Sequence, residues 1–304
     1  MKTASSLLLA TFISAFVVVS SCKKGEDVTV PDNTRNTNMP TPTPTPARLY
    51  FTFKFDSTQA RLDNIGQNSS IPAGHAAQSP LFNKISSHYI EMTPNQFTAL
   101  GAGAILYHAA ETTQGGANAI DFSQSIKVAQ GEEFFSVPLS SVSAGTYQYL
   151  RVSLSYQNYN IKFKYNNSVL TGTLASFVGF NTYIASFMPN ATNVTVNANK
   201  SQGYWAFETF GTVVQGQAPP GATTVPNPLF ATSPIPQGSC LVTGQFASPL
   251  TITGNETADI HIVISLSTNK SFEWKDNSPD GLFEPTAGDT VVDMGLRGLI
   301  PTVQ

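Results

Sequence analysis

Only 12% of the 304 residues are charged and the formal net charge is −3, so no basic stripe exists to hold a polyanion, and nucleic acid is excluded as an expected partner. With 41% hydrophobic and 11% aromatic residues the chain can bury a large core, which excludes global disorder. Two cysteines, one of them in the N-terminal leader, exclude a disulfide framework, so the core must hold the fold.

Met1 to Ser21 reads as a secretory signal: Lys2 starts it, an apolar run extends from Leu7 to Val19, and small polar Ser20 and Ser21 follow. The run falls short of the ~20 apolar residues that a spanning helix needs. Val19-Ser20-Ser21-Cys22 resembles a lipobox, with Val and Ser standing where Leu and Gly or Ala are usual, and the resemblance implies lipidation of Cys22. Each buried methylene contributes about 0.8 kcal/mol, so the two acyl chains of a diacylglycerol thioether would make the anchor effectively permanent. The start Cys22-Lys23-Lys24-Gly25-Glu26-Asp27 is similar to that of surface lipoproteins of bacteroidete-type bacteria. This implies an outer-membrane lipoprotein at the cell surface, with the periplasmic face as the alternative. Val28 to Ala47 is rich in Asn, Thr and Pro and ends in alternating proline, an extended spacer of roughly 3 Å per residue. The expected organisation is a signal peptide at 1–21, a lipidated Cys22 with flexible linker at 22–47, and a β-sandwich domain at 48–304.

Beyond the linker, alternation with period two dominates. Leu49, Phe51, Phe53 and Phe55 share one face of the first strand. Pro94 to Leu100 is the one segment that reads as a short helix, with Thr93 as N-cap and Gly101 as stop. Strands are expected at Ala104–Ala109, Ile120–Val128 and Glu133–Leu139. Leu150, Val152 and Leu154 then keep an even-numbered apolar face, whereas Ile161, Phe163 and Tyr165 are odd, so a bulge or bend is expected near Asn158–Asn160. Asn166-Asn167 fits the turn of a hairpin into Val169–Leu174, since Asn tolerates positive φ. Further strands are expected at Phe177–Phe187, Val194–Asn197, Tyr204–Phe210, Leu241–Phe246, Ile260–Leu266 and Thr290–Met294. Gly211 to Gly238, with its prolines, is the expected seam if the domain subdivides. Many short antiparallel strands and one helix predict an all-β, mostly antiparallel β-sandwich.

Asp276, Ser278 and Asp280 place oxygens at alternate positions, Gly281 permits a sharp turn, and Glu284 follows, a pattern that resembles a calcium loop. Ala287 stands where an EF-hand has its bidentate Glu, so a plain Asp-Gly turn is the alternative. Tyr149, Arg151, Gln157 and Tyr159 fall on the less apolar strand face and form a candidate glycan-binding surface, against the alternative of a second buried face. His88-Tyr89-Ile90-Glu91 would put its two polar ends on opposite faces of a strand. With His108 and Glu111 further on, a zinc site is the alternative to satisfied or solvent-facing histidines. Ser267-Thr268-Asn269-Lys270 matches S-x-x-K but ends a β-pattern without K-T-G and is expected to be a turn. Walker A, G-x-S-x-G and dinucleotide fingerprints are absent from the sequence.

Ala144-Gly145-Thr146-Tyr147 leading into Leu150-Arg151-Val152-Ser153-Leu154 resembles strands in the sandwich modules of uncharacterised bacteroidete envelope lipoproteins, over about a tenth of the chain. The resemblance implies a β-sandwich and carries no ligand with it. The functional expectation is a lipid-anchored, non-catalytic binding or adhesion module, for glycan or another envelope protein. Its rivals are a glycan-directed hydrolase or lyase, with Asp121, Glu208 and Asp259 as unpaired candidate acids, and a structural subunit of a surface assembly.

Overall fold

The computed structural model describes residues 46–62, 68–219 and 240–304. Cys22, the leader and the tether up to residue 45 lie outside them, as does most of the proline-rich excursion. The described residues from 46 onward form one compact unit, and it is all-β, without a helix of seven residues or more among them.

Two sheets face each other. One runs β18 (Arg297–Val303), β15 (Ile260–Ser267), β1 (Arg48–Asp56), β7 (Glu133–Pro138). The other runs β13 (Thr212–Gln217), β12 (Tyr204–Thr209), β9 (Ser168–Phe177), β8 (Gly145–Tyr165), β3 (Leu81–Thr93), β4 (Ala104–His108), and β14 (Cys240–Ile252) also pairs with β8. Within these two sheets pairing is antiparallel except between β1 and β15, which share parallel register from Leu49 opposite Ile260 to Asp56 opposite Ser267. Leu49, Phe51, Phe53, Ile262, Ile264 and Leu266 from the first sheet meet Ile90, Met92, Leu150, Val152 and Leu154 from the second, as their alternation requires.

Two small sheets cover what remains. β16 (Phe272–Lys275), flanked by β2 (His75–Gln78) and β17 (Thr290–Asp293), brings Phe272 and Trp274 onto Tyr159, Ile161 and Phe163. The sheet of β11 (Val194–Lys200), β10 (Thr182–Phe187), β6 (Ala119–Asp121) and β5 (Glu111–Thr112) accompanies Phe122, Ile184 and Phe187 onto Tyr156 and Phe177. β8 is therefore sandwiched on both faces, and burial runs unbroken from Leu150 to Tyr159.

The phase change in β8 lies at Ser155, earlier than Asn158–Asn160. Leu154 pairs with Ser87 and Tyr156 with Ser86, so Ser155 is the extra residue. Its carbonyl accepts the amides of both Val178 and Gly179, at 3.0 and 3.3 Å. The same contacts end β9 at Phe177, and the strand expected over Phe177–Phe187 resumes only at Thr182. Asn166 and Asn167 do form the two-residue hairpin turn, both with positive φ. The helix expected at Pro94–Leu100 is instead an irregular loop. Asn95 turns its side-chain oxygen to the Phe97 amide at 2.9 Å, and Arg151 takes the carbonyls of Gln96 and Thr98, of which a helix ending at Leu100 would need that of Gln96 for itself.

Candidate functional site

The bulge at Ser155 splits the four residues expected to form a ligand face. Tyr149 and Arg151 precede it and Gln157 and Tyr159 follow it, so the second pair turns inward. Tyr159 packs with Phe272 and Trp274, and Gln157 Nε2 donates to the Met294 carbonyl. Tyr149 is half-buried. These four residues do not share a surface.

Arg151 serves a different purpose. It and Glu91 are 2% and 0% exposed, and Arg151 Nη1 lies 3.6 Å from Glu91 Oε2. Arg151 Nη2 donates to the carbonyls of Gln96 (3.1 Å) and Thr98 (2.7 Å). Glu91 Oε1 accepts the amides of Gly101 (3.0 Å) and Gly103 (2.7 Å). A Cβ on Gly103 would strike both the Met92 carbonyl and this carboxylate, so only glycine permits the contact. Burial pushes the Glu91 carboxyl above its usual range, against the opposing pull of Gly103, Arg151 and Gly101. The loop from Pro94 to Gly103 is thus fastened from beneath at four backbone groups, while at its tip Phe97 stands 85% exposed. An open groove of about 270 Å³ borders it, lined by Pro94, Gly103, Ser143, Thr146 and Tyr147.

The calcium-like loop holds a cation of its own. Lys164 Nζ lies 2.6 Å from Asp280 Oδ2 and 3.0 Å from Glu284 Oε1, which lowers the Asp280 pKa. Asp276 Oδ2 accepts the Gly281 amide at 3.0 Å, and Asp289 takes the amides of Asn277 and Glu284. The string Asp276–Glu284 is a braced turn in which an ammonium bridges two of the carboxylates.

The three acids named as candidates for catalysis are separate and engaged. Asp121 caps a one-turn 3₁₀ segment at Phe122–Gln124 through the Ser123 amide. Asp259 Oδ1 accepts the Arg48 amide at 2.8 Å. Glu208, buried, accepts the amides of Asn190, Ala191 and Thr192 and the Thr192 hydroxyl. Burial acts to raise its pKa, but these bonds outweigh it and hold the carboxyl below its usual range.

His88, His108 and Glu111 do come together, their ligating atoms all within 4.8 Å of one another. Glu91 does not join them. His88 Nε2 lies 2.8 Å from Glu111 Oε1, and Asn118 Nδ2 donates to Glu111 Oε2 at 2.6 Å. Burial lowers the His88 pKa, and its bond to Glu111, with that of Asn118, draws the Glu111 carboxyl down to about 2. The sequence signal for this cluster and for the Glu91–Arg151 pair was the polar run Ser86-Ser87-His88 with Glu91. That run hid β3, because its polar residues and register shifts erase the alternation.

No family model matches this chain, and no curated protein or solved structure matches it.

Proposed function

We propose that this chain is a lipid-anchored protein of a bacterial outer membrane, facing the cell surface. In this reading its β-sandwich is a non-catalytic binding module that takes glycan at the 94–103 loop. The leader, the lipobox-like Val19–Cys22 and the proline-rich tether support the address. The observation that carries the binding reading is Phe97. Phe97 is 85% exposed and sits on a loop whose backbone is held by a buried charged pair beside an open groove, so the fold presents the ring at a fixed place. A ring presented from a backbone held in place can stack on the C–H face of a sugar with less ordering of the loop, and the carbonyls and hydroxyls beside the groove can bond the sugar's own hydroxyls. The engaged state of Asp121, Glu208 and Asp259 favours binding over hydrolysis, since a glycosidase needs two carboxyl groups facing one bond.

A glycan array probed with the full chain, with calcium present and then chelated, tests this reading. We expect binding in both conditions, weakened about tenfold in Phe97→Ala, which corresponds to ~1.4 kcal/mol from one lost ring. The melting temperature of that variant should stay unchanged. Equal binding by Phe97→Ala, or no glycan bound under either condition, would remove the reading. Mass spectrometry checks the address separately: the mature chain should begin at Cys22 and carry acyl mass.

A further inference from the structure

The cluster of His88, His108 and Glu111 is not used by the loop at 94–103. His88 comes from β3, His108 from the end of β4, and Glu111 from the start of β5. His108 Nδ1 lies 2.9 Å from the Ala109 carbonyl, and because a carbonyl only accepts, Nδ1 must carry the proton. The Nε2 atom of a neutral His108 then carries a lone pair, and it lies 3.7 Å from Glu111 Oε1. Two acceptors so placed repel each other unless a cation lies between them. His88 is fully buried and stacks on Phe180, with Nε2 directed at the same carboxylate oxygen. Its Nδ1 has no hydrogen-bond partner, so one ring nitrogen goes unsatisfied whether Nε2 holds a proton or a metal. Ligation therefore adds no new loss.

We propose that His88, His108 and Glu111 bind one divalent metal ion of the nitrogen-preferring class, zinc or a close relative, through the two Nε2 atoms and Glu111 Oε1. Ligand atoms ~2.0–2.1 Å from a tetrahedral zinc stand roughly 3.3 Å apart, and the 2.8 and 3.7 Å separations here straddle that distance. All three ligating atoms lie within 4.8 Å of one another, so closing on an ion takes side-chain adjustment rather than a change of fold. Two of the ligands are already oriented from outside, His108 by the Ala109 carbonyl and Glu111 by Asn118, as ligands of metal sites usually are. His108 remains 38% exposed, which gives the ion an entry path and leaves a fourth position for water. The ion would clip the β3–β4 pair to β5.

The test is zinc titration of the chelator-treated full chain, followed by calorimetry and by melting temperature, with cobalt as a coloured substitute. We expect one ion per chain, a rise in melting temperature, and a cobalt spectrum of tetrahedral or five-coordinate type. His108→Ala, at an exposed position, should abolish binding. Asn118→Ala should weaken it about 10- to 100-fold, as loss of an orienting contact does. Glu111→Gln, which keeps an acceptor for His88 but loses the charge, covers the case in which His108→Ala fails to fold. No binding by the native chain, or equal binding by a folded His108→Ala or Glu111→Gln variant, would overturn the proposal.

Discussion

Replacing Arg151 by Met removes the guanidinium that lies under the 94–103 loop while keeping most of the side chain's volume. Three things are lost: the bonds to the carbonyls of Gln96 and Thr98 and the pairing with Glu91. Gln96 is exposed and Thr98 half-buried, so both carbonyls can turn to water, and their loss costs little. Glu91 cannot follow. It is fully buried, and breaking a buried ion pair from one side costs ~3–5 kcal/mol because the other charge is stranded. Gly101 and Gly103 still donate to it, which places the expected loss near the lower end, about 3 kcal/mol. For a domain of this size that is a fall of roughly 6–12 °C in melting temperature. The sign with pH follows from Glu91. Burial already holds its folded pKa above the unfolded value, and removing Arg151 raises it further, so the variant takes up a proton on folding. Its deficit should be largest above that raised folded pKa and shrink as the pH falls through it, because a protonated carboxyl strands no charge. The assay is thermal or urea unfolding followed by tryptophan fluorescence at pH 7 and pH 5, with hydrogen exchange over residues 94–103. A loss below about 1 kcal/mol with unchanged exchange in the loop would refute the claim that this pair fastens it.

Glu208→Gln should cost about 1.5–3 kcal/mol at neutral pH, the worth of charge-assisted bonds from backbone amides to a buried carboxylate. Because the folded pKa is depressed, this contribution is present above the unfolded carboxylate pKa and is lost as pH falls through the folded one. Native and variant stabilities should therefore converge in acid, which urea midpoints across pH can check. Calcium in the millimolar range should leave the melting temperature unmoved, since the Lys164 ammonium already bridges Asp280 and Glu284. In Lys164→Met the freed carboxylates should make it respond, and a clear calcium shift in the native chain would contradict this account of the loop.

The strands with clean alternation, β1 and β15 above all, were legible because a half-buried strand must place its apolar residues on every second position. The Asn166-Asn167 turn was legible for a similar local reason, since few residues accept positive φ twice in succession. β3 was not, although it is a central strand. A strand covered on both faces can bury His88 and Glu91 when Glu111 and Arg151 are brought to them, and no local window contains those partners. Arg151 and Gln157 looked like one surface because the bulge between them depends on the amides of Val178 and Gly179, brought in by the next strand. The sequence alone determined the all-β class and the apolar faces of the cleanly alternating strands, both consequences of short-range periodicity and composition. The tertiary structure decided which polar residues are buried, that the Lys164 ammonium would lie between Asp280 and Glu284, and that two histidines and a carboxylate from three strands would meet. Pairing energies of that kind arise only after distant strands have been brought into register.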